Sequence, residues 1–315
     1  MKAVIINKYG TENELKFEDV PVPDIDPDEV LIKVYATSVN PIDWKIRKGM
    51  ITGLKWEFPI ILGWDVSGVI EKVGSRVTSF EPGDEVFAFP PLSRNGTYAE
   101  YVAVQVDAVA HKPKALDHLS SASIPLAGLT AWQALFDHGD LQARQKLLII
   151  GAAGGVGTLA IQLAKDKGAY VIGTASPPNK EFLKELGADE IIDYTSESFW
   201  EKLKDIDVVL DCIGGYAQKQ LLQVLKPGGV LVSIVGINSA VDFSSKKIET
   251  IFFMTKSSSE QLKQIGELID AGKLKSVIAE VKYLMDIKEA HCLSEEGHTR
   301  GKIVISVINR NVTHM

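Results

Sequence analysis

The stretch KLLIIGAAGGVGTLAIQLAKDKGAYVIGTA, residues 146–175, decides the fold. An apolar strand leads into a turn of small residues, 151–157, which opens a helical pattern and then a second apolar strand. Such a turn lets backbone N–H groups approach an anion, and the helix dipole favours negative charge there. The sequence therefore predicts a βαβ unit whose turn holds the pyrophosphate of a dinucleotide. The predicted contacts in this turn are Ala153, Gly154, Gly155 and Val156.

The alternative for this turn is that its small residues only let a strand pack closely against a helix. The position after the second strand bears on the coenzyme. An NAD site would place Asp or Glu there to bind the adenosine ribose, and this chain has Gly173-Thr174-Ala175-Ser176. Ser176 and Lys180 are able to bind and neutralise a 2′-phosphate, so the sequence favours NADPH. The competing interpretation makes Lys180 an ordinary surface lysine and Ser176 a turn residue.

The segments around this unit predict an α/β protein with two domains. Strands and helices alternate through residues 121–257, which indicates a doubly wound parallel sheet, and its first part, near 120–139, is a helical stretch. Residues 1–120 show short strands separated by Pro and Gly turns, typical of a β-rich domain. Residues 258–315 contain too few elements for a third domain, so we expect them to return to the first.

Composition excludes several classes of protein. A net charge of -7 and a pI near 5.5 argue against a nucleic-acid surface. Cys212 and Cys292 lack CxxC spacing, which argues against a disulfide framework or thiolate zinc site. The apolar run at the N-terminus is too short for a signal peptide, and no segment has the ~20 apolar residues of a membrane span. We therefore expect a cytoplasmic protein, in which the Asn311 sequon is a chance triplet.

Further motifs carry a family resemblance that spans nearly the whole chain. These are LGWDVSGVI at 62–70, PLAGLTAW at 125–132, LGAD at 186–189, LKPGG at 225–229 and GKIV at 301–304. Together with the glycine turn, they resemble the zinc-independent quinone oxidoreductase branch, zeta-crystallin-like, of the medium-chain dehydrogenase/reductase superfamily. The resemblance implies a GroES-like catalytic domain, a Rossmann domain and an active cleft where the two meet. It also implies a homodimer and a small-molecule substrate.

The zinc ligands of the alcohol dehydrogenase relatives are missing. This chain has Asn40-Pro41-Ile42-Asp43 where they have a Cys before Thr-Asp, and Gly63-Trp64-Asp65 where they have Gly-His-Glu. Asn and Trp do not replace thiolate or imidazole ligands, so we expect no metal. Quinones and conjugated carbonyls accept hydride without a Lewis acid, which makes them the expected substrates.

The resemblance also implies roles for single residues. Asn40 and Asp43 would lie beside the nicotinamide and the substrate, with Asn40 offering an amide donor to a substrate oxygen. The alternative for Asn40 is a turn residue, and for Asp43 a helix cap or an ion-pair partner. Lys45 follows where some enoyl-reducing relatives have a tyrosine, and it is either a substitute donor or a surface lysine. Further cofactor contacts implied by the resemblance are Thr130, Tyr194, Phe252, Phe253, Gly297, His298 and Lys302. The alternatives are a hydroxyl that bonds its own helix for Thr130 and core positions for the aromatic residues. Two strands end at Cys212, Gly214, Val235 and Gly236, at the carboxyl edge where open α/β sheets bind ligands, so these residues are predicted contacts as well.

Three functions are consistent with these residues. The first is NADPH-dependent reduction of quinones or related conjugated carbonyls by hydride transfer. The second is a 2-enoyl or alkenal reductase of the same superfamily. The third is a non-enzymatic NADPH-binding protein, because one fold often carries several functions.

Overall fold

The computed structural model describes residues 1–54, 56–196, 199–215 and 217–308. Backbone contacts divide the chain into two units. The first, here the β-rich unit, comprises Met1–Leu126, Lys256–Gly272 and Ser276–Met315, and the second, the parallel-sheet unit, comprises Ala127–Thr255 and Lys273–Lys275. The sequence-based domain bounds, 1–120 with 258–315 and 121–257, stay a prediction. Asn311 lies outside the described residues.

The regular elements are numbered in chain order. The strands are β1 (Lys2–Ile6), β2 (Lys16–Asp19), β3 (Glu29–Val39), β4 (Ile60–Ile61), β5 (Val66–Val73), β6 (Glu85–Ala88), β7 (Tyr101–Gln105), β8 (Val109–His111), β9 (Lys146–Ile150), β10 (Tyr170–Ala175), β11 (Glu190–Asp193), β12 (Ile206–Asp211), β13 (Leu225–Ser233), β14 (Glu249–Phe252), β15 (Ile278–Tyr283) and β16 (Lys302–Ser306). The α-helices are α1 (Pro41–Arg47), α2 (His118–Ala122), α3 (Pro125–Trp132), α4 (Gly155–Asp166), α5 (Lys180–Glu185), α6 (Ala217–Val224), α7 (Ser259–Asp270) and α8 (Ile287–Glu296).

The β-rich unit is organised around the long strand β3. Its sheet runs β15-β16-β3-β5-β6-β8, and β7 also pairs with β3. The first half of β3 lies against β7, whereas its last residues pair with β16. Ten of its eleven residues are at least partly buried, since apolar and small side chains face both sides of the strand. A second sheet, β2-β1-β4, completes the unit.

The parallel-sheet unit contains a six-stranded sheet in the order β11-β10-β9-β12-β13-β14, and every pair in it is parallel. Its strands are apolar because parallel strands are buried on both faces, and Leu148, Ile172 and Val209 belong to one core cluster. The sheet grows outward from β9 in both directions. The carboxyl ends beside β9 therefore form the switch point where such sheets bind ligands. The predicted doubly wound sheet is confirmed.

The predicted helical stretch near 120–139 is broken once, between α2 and α3. α2 ends at Ala122, α3 begins at Pro125, and a π-helical turn, Gln133–His138, follows before Gly139. Proline has no backbone N–H and clashes with the preceding turn, so it begins a helix and does not continue one. The apolar pattern alone did not reveal this break.

Candidate active site

The glycine turn joins β9 to α4 by a very close approach. Gly151 has a φ of +84°, a conformation that L side chains rarely adopt. A Cβ at Gly157 would lie 2.5 Å from the Gly151 carbonyl oxygen and 2.6 Å from that of Ala152. Only glycine fits at residue 157, because a side chain there would push the helix away from the turn.

The start of α4 presents backbone donors that the helix does not use. Gly154 is the N-cap in an extended conformation, and the first helical hydrogen bond runs from Thr158 N–H to the Gly154 oxygen at 3.0 Å. The N–H groups of Gly155, Val156 and Gly157 have no acceptor within the helix. With the positive end of a 12-residue helix behind them, these donors fit a pyrophosphate.

The predicted adenosine-side residues lie at one edge of the parallel sheet. Ala175 and Asp193 are paired neighbours at the ends of β10 and β11. Ser176 and Tyr194 follow them directly, and half of the Tyr194 surface is exposed. Lys180 is exposed at the first residue of α5. The edge carries a hydroxyl, a phenol and a nearby cation.

The loops after β12 and β13 are held together by a buried carboxylate. Asp211 Oδ1 accepts the N–H groups of Ile213 at 3.0 Å and Gly214 at 2.8 Å. Its Oδ2 accepts from Gln218 Nε2 at 2.7 Å, and the same nitrogen donates to the Gly236 oxygen at 2.7 Å. The predicted contacts carried by these two loops are Cys212, Gly214, Val235 and Gly236. They are thus fixed relative to one another.

The remaining predicted contacts of this unit lie on α3 and after β13. Thr130 Oγ1 is 2.7 Å from Thr255 Oγ1, so these hydroxyls share a hydrogen bond. The Phe253 ring stacks obliquely on His138 at 4.4 Å between centroids. Phe252 ends β14 and is half exposed. Thr130 and Phe253 thus have structural partners within the unit.

Cys212 is not an activated thiol. Burial and the neighbouring Asp211 carboxylate raise the pKa of the Cys212 thiol well above its usual value. A protonated thiol is a poor nucleophile. Cys212 therefore offers surface to a ligand and no covalent chemistry.

In the β-rich unit, strand register brings three distant polar residues together. Asn40 follows the last residue of β3, Lys302 is the first residue of β16, and Asp65 directly precedes β5. β16 and β5 both pair with β3, and the pair Val39 and Ile303 places Lys302 beside Asn40. We call Asn40, Asp65 and Lys302 the Asn40 cluster.

Hydrogen bonds saturate the carboxylate of this cluster. Asp65 Oδ2 accepts from Asn40 Nδ2 at 2.6 Å, from Ser38 Oγ at 2.5 Å and from Lys302 Nζ at 3.3 Å. Asp65 Oδ1 accepts the Leu126 N–H at 2.7 Å. Lys302 Nζ also donates to Asn40 Oδ1. Asp65 and Lys302 are both buried, so each compensates the other's charge.

Asp43 lies under the cluster on α1. Its Oδ2 accepts the Asn40 N–H at 2.7 Å and the Tyr98 hydroxyl at 2.8 Å, as expected of a helix cap. Its Oδ1 is buried without a hydrogen-bond partner among the described residues. Burial raises the pKa of Asp43 to about 7, with nearby Asp65 adding to the rise and Lys302 opposing it.

Three further side chains continue from Asp43 towards the surface. His291 Nε2 is 3.2 Å from the Tyr98 hydroxyl, and His291 Nδ1 is 3.0 Å from Arg47 Nη1. Because arginine only donates, Nδ1 must accept and Nε2 carries the proton. Burial and Arg47 lower the pKa of His291 to about 3, which keeps the ring neutral. Arg47 is fully buried and pairs with the partly exposed Glu295.

Three predicted residues lie outside these groups. Lys45 is half buried with its Nζ 5.6 Å from the Trp44 ring centroid, and burial lowers its pKa. Gly297 ends α8 with a φ of +74°, and His298 is exposed after it. None of the hydrogen bonds of the Asn40 cluster involves Lys45, Gly297 or His298.

Several residues of these groups were missed by sequence reasoning. Asp65 stands within the quoted LGWDVSGVI motif, which signalled its importance but no role. Tyr98 and His291 have no local signal, since their partners lie far away in the sequence. Asp211 and Gln218 were missed as well, although Asp211 accepts two N–H groups of its own loop. Within the described part of the chain, no three His, Cys, Asp or Glu side chains are grouped as a metal site. No helix among those residues is long and apolar enough to cross a membrane.

Comparison with known proteins places the chain in a family. Residues 26–114 match the model of the alcohol dehydrogenase GroES-like domain, and residues 186–305 match that of the zinc-binding dehydrogenase. The mouse (Mus musculus) NAD(P)H oxidoreductase RTN4IP1, mitochondrial, is 38% identical, over 98% of this chain and 89% of its own. The NADPH-dependent alkenal/one oxidoreductase, chloroplastic, of Arabidopsis thaliana is 36% identical, over 97% of this chain and 79% of its own.

A solved structure agrees with these relatives. The quinone oxidoreductase from Coxiella burnetii superposes with a TM-score of 0.92 at 38% identity, covering 98% of this chain and 99% of that one. The chain belongs to the medium-chain dehydrogenase/reductase superfamily, in its zinc-independent quinone oxidoreductase branch. The predicted pairing of a GroES-like domain with a Rossmann-type sheet is thereby confirmed.

The raised pKa of Asp43 predicts a pH dependence of stability. Between pH 3.8 and about 7 the folded chain keeps a proton that the unfolded chain has released. Folding takes up that proton, so the free energy of unfolding falls as pH rises through this window. Asp43→Asn cannot ionise. Urea unfolding at several pH values measures the slope of the free energy of unfolding against pH. We expect this slope to be more negative in the unaltered chain than in the variant, by up to about 1.4 kcal/mol per pH unit.

Asp19→Asn is the control for this measurement. Asp19 is exposed, and its hydrogen bond to Lys2 lowers its pKa, so it titrates below the window. Its removal should leave the slope between pH 5 and 7 unchanged, within the uncertainty of about a tenth of the extrapolated free energy. Equal slopes for the unaltered chain and Asp43→Asn would show that Asp43 is ionised throughout.

Proposed function

We propose that this chain is an NADPH-dependent oxidoreductase that reduces quinones or related conjugated carbonyls by hydride transfer. The observation that carries the proposal is the glycine turn, where Gly157 has no room for a side chain and α4 begins with N–H groups that the helix itself does not use. Relatives that cover nearly the whole chain are named NAD(P)H or NADPH-dependent oxidoreductases, which supports the same chemistry.

The polar groups of the β-rich unit suit reduction of a conjugated carbonyl. A bound reduced nicotinamide would supply the hydride that such an acceptor takes at carbon. Negative charge then develops on the carbonyl oxygen, which needs a hydrogen-bond donor. Asn40 is the proposed donor, because its amide carries an N–H beyond the one given to Asp65. Asp43 supports Asn40 from below, and Lys45 is a proposed second donor.

Each proposed coenzyme contact has the role that its position within its own unit suggests. The turn donors would bind the pyrophosphate, and the loops fixed by Asp211 would receive the nicotinamide end. The proposed contacts are Thr130, Ala153, Gly154, Gly155, Val156, Ser176, Lys180, Tyr194, Cys212, Gly214, Val235, Gly236, Phe252, Phe253, Gly297 and His298.

A preference for NADPH over NADH rests on the edge after β10. No carboxylate follows the strand, where one would bind a free ribose and repel a 2′-phosphate. Ser176 and the exposed Lys180 offer a hydroxyl and a positive charge instead. NADPH is therefore the proposed coenzyme.

The alternative within the superfamily is a 2-enoyl or alkenal reductase. The Arabidopsis relative named an alkenal/one oxidoreductase is nearly as similar as the mouse protein, which favours this candidate over other reductions. A non-enzymatic NADPH-binding role is the third candidate. The quinone reductase and the enoyl or alkenal reductase differ in the substrate that they reduce. Turnover of any acceptor distinguishes both of them from a non-enzymatic NADPH-binding protein.

A homodimer and a cytoplasmic location are further proposals. β14 is an edge strand of the parallel sheet, and the exposed fractions of Phe252 and Met254 are 51% and 46%. An edge with exposed apolar side chains is suited to pairing with a second copy. Cys212 and Cys292 are free thiols, which fits a reducing compartment. Relatives named mitochondrial or chloroplastic make an organelle the alternative.

Parallel assays of NADPH oxidation test the proposed reaction. With a series of quinones and a series of enals, we expect turnover of both classes, faster with quinones and unchanged after dialysis against a chelator. Asn40→Ala should lower kcat by about a hundredfold, the typical effect of losing one oxyanion donor. The exposed Asn13→Ala serves as the control and should keep full activity. Tight NADPH binding without turnover of any acceptor would contradict enzymatic function, and faster turnover of enals would favour the alternative.

Lys180→Ala tests the coenzyme preference. If the lysine neutralises the 2′-phosphate, its removal raises the Kd for NADPH by about tenfold and leaves the Kd for NADH unchanged. The control is Lys184→Ala. Lys184 lies on the same helix and pairs with Glu181, so its removal should change neither the Kd for NADPH nor the Kd for NADH. Isothermal titration measures both constants. An equal response of NADPH and NADH would remove Lys180 from the phosphate site.

A further inference from the structure

We propose that Lys302 and Asp65 are positioning residues that fix the polarity of the Asn40 carboxamide, so that its remaining N–H is offered to the substrate oxygen. This inference rests on the proposed function, and it assigns Lys302 an indirect role instead of the direct cofactor contact that the resemblance implies. It stands on the hydrogen bonds of the Asn40 cluster and on the chemistry of its three side chains.

Lys302 has no donor left for a ligand. An ammonium group has three N–H donors and no acceptor. Lys302 Nζ donates to the Val39 oxygen at 3.1 Å, to Asn40 Oδ1, and to Asp65 Oδ2 at 3.3 Å. The side chain is 6% exposed. All three donors are therefore used inside the β-rich unit.

The two charges dictate which way the amide faces. Lys302 only donates, so the Asn40 atom in front of it must be the acceptor Oδ1. An ionised Asp65 only accepts, so the Asn40 atom in front of it must be the donor Nδ2. A flipped amide would put N–H against ammonium and carbonyl against carboxylate. Lys302 and Asp65 thus act as opposite ends of one clamp.

One N–H of the amide is left over. Nδ2 carries two hydrogens, and one of them is given to Asp65. The other has no acceptor among the described residues, and Asn40 is 4% exposed, in contrast to the fully buried Asp65. Its backbone N–H is held by Asp43, which fixes the start of α1. The clamp therefore leaves one directed donor in a nearly dry surrounding, where such donors act most strongly on a developing charge.

Exchange of the amide and the carboxylate separates positioning from folding. Asn40→Asp alone sets two carboxylates at hydrogen-bond distance, and Asp65→Asn alone leaves Lys302 without its full counter-charge. The double variant Asn40→Asp/Asp65→Asn restores one amide, one carboxylate and a paired lysine. We expect it to recover most of the melting temperature that the single variants lose, and NADPH affinity within about twofold of the unaltered chain.

Turnover should not recover with stability. Residue 40 of the double variant presents a carboxylate where the donor stood, so we expect kcat to stay about a hundredfold or more below that of the unaltered chain. Recovery of kcat together with the melting temperature would overturn the proposal, because the cluster would then serve the fold alone. Absence of turnover in the unaltered chain would refute the proposed function instead, and the two failures are thus distinguishable.

A neutral variant keeps the test decisive if the exchange does not fold. Lys302→Met/Asp65→Asn removes both charges, and the amide of Asn40 is then free to flip. We expect kcat to fall by about tenfold while the Kd for NADPH stays unchanged, since a misdirected donor affects the reacting oxygen only. A Kd for NADPH raised by about tenfold with kcat unchanged would show that Lys302 binds the coenzyme directly, against the proposal.

Discussion

The start of helix α4 lies so close to the preceding turn that residue 157 has no room for a side chain. The carbonyl oxygens of Gly151 and Ala152 occupy that space. This contact holds the helix start against the end of β9, the strand from which the parallel sheet grows in both directions. The unused N–H groups of α4 therefore lie at the carboxyl edge of the sheet, where the loops after β12 and β13 begin.

The β-rich unit buries the charged side chains of Asp65, Lys302 and Arg47, and each of them has a partner of opposite charge. An unpaired buried charge destabilises a protein by about 3–5 kcal/mol, so each must have partners of fixed polarity. Asp65 accepts hydrogen bonds from four donors, and Lys302 donates all three of its N–H groups. The charge of Arg47 is compensated by Glu295. Asp43 Oδ1 is buried without a hydrogen-bond partner among the described residues, and burial raises the pKa of that carboxyl. The hydrogen bonds that stabilise the buried Asp65 and Lys302 therefore also set the direction of the Asn40 amide.

The sequence predicts those features that depend on local pattern. Parallel strands such as β9 are read from continuous apolar runs, and the glycine turn from its place between strand and helix. The Asn40 cluster is different: Asn40 lies 25 residues from Asp65 and 262 from Lys302, and only the register of β3 with β5 and β16 joins them. The resemblance singled out Asn40 and Lys302, but it did not show that one holds the other. The break in the helical stretch at Pro125 depended on a single residue that the apolar pattern masks.

A crystal structure of the chain with bound NADPH tests the central claim most directly. We predict electron density for the pyrophosphate within hydrogen-bond distance of the N–H groups of Gly155, Val156 and Gly157, with the 2′-phosphate near Ser176. Coenzyme density at another place, or a glycine turn filled by the chain's own side chains under saturating coenzyme, would contradict the account.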